Sequence, residues 1–420
     1  MINKYKRKIL NKIPKDWEII TLKNLFTFKN GVNSDGVNYG KGIKFINVLE
    51  IINNNSINYN NIPGSVSLDE KKISLYLVKK GDVLFNRTSE TQNEIGLSAV
   101  YLDDKEVVFG GFVIRARPKN DKLDLKFKKY MFSSTTVRKD IVKRGQGGIR
   151  YNIGQQDLCK VKLPLPPLPE QRNIAEILST WDDAIEKLEN LLDKKGLLKK
   201  GLIQRLLTGE KRLPGYSESI KYKNLQPYIY EVSKRNFDNK VNKVLSVTNT
   251  RGFIEQSEQF ERIVASKDVS NYKIVEKGQF AYNPSRINVG SIDLLKDYDK
   301  GILSPMYIVF QTYKNLMYSN YLYYLLKSYW FLGHIPQYVQ GSVRDSLSFD
   351  GLCAMKFFIP SIPEQKKIAS VLSTIDSEIE LFEKRLELLN SQKKGLMQKL
   401  LTGKIRVKGS VKSVMKEYET

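Results

Sequence analysis

The sequence predicts an α+β protein. Two tandem mixed α/β domains are separated by two long helices that pair as an antiparallel coiled coil, giving a pseudo-twofold internal repeat. Three observations predict this. Residues 169–209 and 363–403 align without a gap at an offset of 194, with 22 identities in 41 positions, far beyond chance. Both segments carry apolar residues in alternating steps of four and three, the 3.5-residue period of a coiled-coil seam. The segments before them read as short strands split by turn residues. The expected divisions are a globular domain over 1–163, a helical spacer over 164–212, a second globular domain over 213–358, a second spacer over 359–405 and a basic tail over 406–420.

In the first domain, strand-like runs are expected at Lys44 to Ile52, Val83 to Phe85, Leu97 to Tyr101 and Val107 to Arg117. Asn53-Asn54-Asn55, Pro63-Gly64 and Gly81-Asp82 separate them. The first long helix opens on Pro169-Glu170-Gln171, with proline and a carboxylate where a first turn favours them. Its seam runs Ile174, Leu178, Trp181, Ile185, Leu188, Leu192, and Gly209 is its stop. The second domain repeats the pattern, with strands expected at Val244 to Thr248, Gly278 to Tyr282 and Met306 to Phe310, and an aromatic helix at Tyr318 to Phe331. The second long helix follows Pro363-Glu364-Gln365, with a seam of Ile368, Leu372, Ile375, Ile379, Phe382, Leu386 and Leu389, and stops at Gly403. Lys195, Lys199 and Lys393 interrupt the two seams. A helix of about 38 residues spans roughly 57 Å at 1.5 Å per residue.

The chain has 420 residues and a formal net charge of +24, from 69 Lys and Arg against 45 Asp and Glu. The first helical segment is neutral and the second carries +1, so +23 belongs to the globular segments and termini. A folded polycation implies a polyanionic partner. Charge on the domains rather than on an amphipathic helix argues for nucleic acid over a membrane surface. Two cysteines, Cys159 and Cys353, exclude a disulfide framework, and one histidine, His334, excludes His-based metal clusters. His334 reads as structural or solvated, and the two cysteines as small buried apolar residues. No run of about 20 apolar residues suggests a membrane span, and Met1 to Trp17 lacks the apolar stretch of a secretory signal. A cytoplasmic, nucleoid-associated protein is expected. Gly36 to Lys41 lacks Walker A spacing, and Asn283-Pro284-Ser285-Arg286 lacks the second proline and the ring of an amino-methyltransferase motif. No catalytic, cofactor or metal residue is therefore expected in this chain.

These residues carry a family resemblance. Two units, each a variable domain followed by Pro-Glu-Gln, a heptad helix and Leu-Leu-Thr-Gly, resemble the specificity subunit of type I restriction-modification systems. Pro14-Lys15-Asp16-Trp17, Lys80 to Arg87 and Leu213-Pro214-Gly215-Tyr216 resemble the family as well; Ile220 stands where an aromatic is more usual. The resemblance implies that each domain is a target recognition domain reading half of a bipartite DNA sequence. It implies that the helices hold modification (methyltransferase) subunits, two per chain, and that restriction subunits join the complex. S-adenosylmethionine, ATP and Mg would belong to those partners. The alternative readings are a coiled-coil adaptor that binds RNA or acidic protein outside any restriction system, and a self-sufficient methyltransferase.

Repeat position selects DNA-binding candidates. Gln146, Gly147 and Arg150 align with Gln340, Gly341 and Arg344. Glycine admits a phosphate to the backbone, and Gln and Arg make bidentate contacts to A and G. Arg87 with Thr88, and Ser285 with Arg286, form a second pair. Arg115 and Arg117 alternate on a strand, and Lys4, Lys6, Arg7 and Lys8 form either a phosphate-binding arm or a solvated tail.

Overall fold

The computed structural model describes residues 13–33, 39–219, 221–259, 268–339 and 346–407. It divides into two compact units, residues 1–187 with 385–420, and residues 188–384. Each unit therefore joins one globular segment to the first part of the helix that follows it and to the last part of the other helix.

The long helices are α1 (Leu168–Leu207) and α2 (Ile362–Leu400). Gly209 and Gly403 follow them at φ 76° and 71°, the left-handed conformation that ends a helix without a Cβ penalty.

The first unit is built on a five-stranded sheet in the order Phe26–Asn30, Val113–Pro118, Val83–Asn86, Ser98–Tyr101, Ser56–Ile57. Its pairings are antiparallel except the last. One face buries Val83, Phe85 and Ile114 against Ile174 and Leu178 of α1, Leu400 of α2 and Leu401 just after it. The other face buries Leu84 and Val113 with Ile46 and Phe109. The run Lys44 to Ile52 is not one strand. Asn47 caps a short helix, Val48–Ile52, in a reciprocal capping box with Glu50, so local side-chain bonding overrides the β-branched pattern. The run Val107 to Arg117 is likewise broken by Gly110-Gly111 into Val108–Phe109 and Val113–Pro118.

The second unit repeats the sheet with four strands, ordered Ile229–Glu231, Ile308–Thr312, Phe280–Tyr282, Ile292–Leu294. Its core joins Phe280, Tyr282 and Phe310 to Leu206 and Leu207 of α1 and to Ile368 and Leu372 of α2. The aromatic segment forms two helices, Ser319–Leu326 and Tyr329–His334, because Ser328 starts a new one by accepting from the Phe331 N–H. His334 stacks on Trp330 at 4.0 Å. Cys353 is buried, whereas Cys159 is half-exposed.

The same bonds close both units. In the first, Glu170 is buried and accepts from Arg406 (2.7 and 2.8 Å) and from the Trp17 indole (2.9 Å). Arg406 also reaches Asp16 (2.9 and 2.7 Å) and lies over the Trp17 ring. In the second, Arg212 binds Glu364 (2.7 and 2.5 Å) and lies over Phe358. Arg406 and Val407, expected to open a basic tail, are thus held in the first unit by this pair, and Val407 is buried. Gln171 accepts from the Asp124 N–H and donates to the Lys122 and Pro166 carbonyls (2.9 Å each). Gln365 does the same with Tyr318, Leu316 and Pro360 (2.8, 3.3 and 2.9 Å).

The lysines that break the heptads are ion-pair donors between antiparallel helix segments. Lys393 pairs with Asp182 in the first unit. Lys199 pairs with Asp376 (2.5 Å) and Lys195 with Glu378 (2.6 Å) in the second. Both aspartates also accept a tyrosine hydroxyl from their own domain, Tyr130 to Asp182 (2.5 Å) and Tyr324 to Asp376 (2.6 Å). Along the expected seam Leu178, Ile185, Leu188, Leu372 and Ile375 are buried, while Trp181, Leu192, Ile379, Phe382 and Leu386 are half-buried. Among the described residues, no helix is long and apolar enough to cross a membrane.

Removing one partner of a buried ion pair strands the other. Arg406→Ala and Arg212→Ala are each expected to cost about 3 kcal/mol or more, with Lys a poor substitute for the bidentate fork. Chemical denaturation of the whole chain measures this; an effect below about 1 kcal/mol would place the pairs with surface bridges.

Both pivot carboxylates in the first unit sit below their ordinary range. Burial alone would push Glu170 up, but the bonds from Arg406, Trp17 and Val407 outweigh it and lower its pKa from 4.5. Asp182 is lowered from 3.8 in the same way, burial being outweighed by Lys393, Tyr130 and Lys129. A lowered folded pKa gives stability that is complete above the ordinary value and lost as pH falls through the lowered one. Melting of the first unit should therefore weaken below the ordinary 4.5 and 3.8. Glu170→Gln and Asp182→Asn should melt lower at neutral pH and show a shallower acid limb in thermal scans across this range.

Candidate nucleic-acid interface

Sheet topology gathers the first unit's candidates. Strand Val83–Asn86, the middle one of the five, runs into Arg87 at its end, after which Thr88–Ser89 pairs with Tyr151–Asn152. The Ile153 N–H donates to the Arg87 carbonyl (3.0 Å) and the Arg87 N–H to the Phe112 carbonyl (2.8 Å). The Arg87 guanidinium reaches the Gly111 carbonyl at 3.4 Å and is half-buried. The Thr88 hydroxyl donates to Asn152 Oδ1 at 2.8 Å. Arg87 and Thr88, separated from Arg150 by over 60 positions, thus lie beside the loop that carries it.

That loop is a hairpin. Gln146 and Asn152 exchange both backbone bonds at 2.8 Å. Gly147 sits at φ 131°, and a Cβ there would lie 1.9 Å from the Arg150 carbonyl oxygen. Gln146, Gly147 and Arg150 are all exposed. Ile149 at the tip is 93% exposed. Asn86, one residue before Arg87, is fully buried, and its side-chain amide hydrogen bonds to none of the described residues.

In the second unit Ser285 and Arg286 are exposed on a 3-10 turn, Pro284–Val289, capped by Asn283. The Leu347 N–H donates to the Pro284 carbonyl (3.2 Å), matching Ile153 and Arg87. Residues 153 and 347 are one repeat apart, so Ser285 matches Thr88, while Pro284 matches Arg87 and Arg286 matches Ser89. Arg286 is therefore not the counterpart of Arg87. Gln340, Gly341 and Arg344 lie outside the described residues, as do Lys4, Lys6, Arg7, Lys8 and Ile220.

Arg115 and Arg117 serve the interior. Arg117 holds buried Asp82 (2.7 and 3.0 Å), and both arginines donate to the Leu77 carbonyl. No binding motif marks Asn152, which pins the hairpin, or the exposed Phe112; Met306, expected to open a strand, is exposed ahead of Ile308–Thr312. The glycine pair before Phe112 was the available signal, since Gly-Gly inside a strand pattern marks a turn.

The family model described as "Type I restriction modification DNA specificity domain" matches residues 14–194 and again 219–391. The chain belongs to this family. It is a specificity subunit of a type I restriction-modification system, the part that recognises the DNA target, and as such it assembles with other subunits of the system. Among curated relatives, the chain assigned as the MjaX type I restriction enzyme specificity subunit of Methanocaldococcus jannaschii is 27% identical, over 96% of this chain and 97% of that one. The MjaVIII specificity subunit of the same organism is 26% identical over 82% and 83%. The solved S subunit of a type I restriction-modification system from M. genitalium has a TM-score of 0.56 at 18% identity, covering 93% of this chain and 97% of that one. These structural likenesses agree with the tandem mixed α/β fold.

The hairpin geometry predicts that Gly147→Ala distorts the loop without touching the core. Target DNA binding should fall at least about tenfold, roughly 1.4 kcal/mol, with the melting temperature unchanged. Equal binding in a titration would show that the loop shape is immaterial.

Proposed function

We propose that each unit of this specificity subunit reads one half of a bipartite duplex target, and that the chain does so without chemistry of its own. The observation that carries this reading is the repetition. Two separately closed units present, at matching places in their own sheets, a connection bearing hydroxyl and guanidinium groups. Thr88, Arg87 and the Gln146–Arg150 hairpin do so in one, and Ser285 and Arg286 in the other. Positive charge concentrated outside the helices supplies sequence-independent phosphate attraction that weakens with salt. Arginine and glutamine at the tips supply base contacts.

Methyl transfer and cleavage then belong to partners. S-adenosylmethionine is assigned to modification subunits, two per chain, and ATP and Mg to restriction subunits. Leu191, Leu197 and Leu198 on α1 and Leu381 and Leu388 on α2 are exposed apolar side chains away from the paired seam, and they are the surface assigned to the modification subunits. The complex would work in the cytoplasm, at the nucleoid.

Co-expression with the modification subunit, followed by sequencing of methylated DNA, tests the reading. A two-part methylated motif supports it. Methylation by the purified chain alone, or a single undivided motif, overturns it. Arg150→Ala should weaken binding of the target duplex by about 1–3 kcal/mol and relax one base position if it reads a base. Equal loss on random duplex in the same titration would assign it to phosphate.

A further inference from the structure

We propose that Phe112 and Met306 are a matched pair of apolar wedges, each inserted by its unit between two stacked bases of the half-target it reads. The inference rests on the DNA reading above and names the side chains that deform the duplex.

The two residues are one repeat apart and occupy the same connection in both folds. Phe112 lies between Val108–Phe109 and Val113–Pro118, and Met306 between Lys300–Leu303 and Ile308–Thr312. In each case the connection leads into the strand beside Val83–Asn86 or Phe280–Tyr282. Each side chain is 58% exposed, while the next residue, Val113 or Tyr307, is buried. The chain thus turns one large apolar group inward and holds its neighbour out. A lone exposed apolar residue needs no explanation. The same exposure at the same position in two domains whose sequences otherwise differ does. Turns ordinarily carry polar residues or glycine there.

Both loops are stiff. A Cβ at Gly110 would lie 2.7 Å from the Phe45 ring, and one at Gly111 would lie 1.7 Å from Asn33 Oδ1. Proline at position 305 fixes the backbone just before Met306. A stiff loop loses little entropy when it inserts its tip. Both tips also adjoin the polar candidates. Arg87 donates to the Gly111 carbonyl, and Asn283, which caps the turn bearing Ser285 and Arg286, places Nδ2 3.7 Å from the Met306 sulfur. Phenylalanine and methionine are among the side chains that part base steps in deformed duplexes, where unstacking is repaid by burial of the wedge.

The test uses the whole chain in complex with its modification subunits, on the duplex identified by methylation sequencing. 2-Aminopurine is placed singly at successive positions in both halves. Phe112→Ala should abolish a fluorescence rise in one half only, and Met306→Ala a rise in the other. Each should weaken target binding about tenfold, with random-duplex binding and the melting temperature unchanged. Phe112→Leu, which keeps an apolar tip, should retain most of the affinity. A loss of affinity with every fluorescence rise intact would make these groove contacts and overturn the wedge. Unchanged affinity and fluorescence in both variants would overturn it as well, while wild-type binding would leave the DNA reading standing. Failure of the wild-type complex to bind any bipartite duplex would remove both.

Discussion

The structure turns on one interaction made twice, a buried glutamate at the start of a long helix gripping an arginine just beyond the end of the other. Glu170 has almost no contact with water and Glu364 none. A carboxylate in that position is tolerable only if its charge is matched and its lone pairs filled. Arg406 and Arg212 meet that demand with a two-pronged fork, and an aromatic face covers each guanidinium. Each domain is consequently completed by residues that the sequence places far away. The helix ends cannot drift from the domain bases without stranding a charge. The glutamine after each glutamate extends the constraint to a loop of its own domain, so two adjacent motif residues fix the helix start, the domain base and the opposite helix end.

That interaction explains which parts of the fold were legible in the sequence. The helices were, because a 3.5-residue period held over several turns in two matching copies has few other readings. Pro-Glu-Gln was visible as a motif, but its role was read as a favourable first turn. Its partners lie at Arg406 and Arg212, beyond the helix stops, and one of them fell in a segment expected to be a tail. The three lysines looked like defects in a seam. Their acids, Asp182, Asp376 and Glu378, sit on the opposing helix segment, and only antiparallel pairing brings them together. Strand boundaries failed where a local cap won, as at Asn47, or where a glycine pair broke a run, as at Gly110-Gly111.

The candidate site was legible to a different degree. Repeat position picked out the hairpin around Arg150, and the offset by itself was enough to find it. It could not show that Arg87 and Thr88 lie beside that hairpin, since that follows from the pairing of Thr88–Ser89 with Tyr151–Asn152. The helix offset of 194 does not align the turn after Asn283, because Lys80-Gly81 and Asn86 match Lys277-Gly278 and Asn283 at an offset of 197. The backbone bond from Leu347 to Pro284 resolves the alignment. It shows that two halves of one protein can keep a bond and exchange the side chains around it.

This contrast carries the physical logic of the molecule. Positions that satisfy buried charge are the same in both halves: Glu170 and Glu364, Gln171 and Gln365, Asp182 and Asp376, Tyr130 and Tyr324, Arg406 and Arg212. A change at one leaves another unsatisfied. Several positions near the tips carry no such constraint. Arg87 corresponds to Pro284 in the repeat, Ser89 to Arg286, and Phe112 to Met306. Arg286, Phe112 and Met306 meet solvent in the free chain, and substitution there costs the fold little, whereas Arg87 and Pro284 are half-buried and Ser89 is buried. A protein whose frame is fixed by buried pairs and whose tips are free can change what it reads without changing how it folds. The net charge follows the same division. It is almost absent from the helices, whose acids and bases nearly balance, and it accumulates on the globular segments and termini, where the proposed DNA contacts lie.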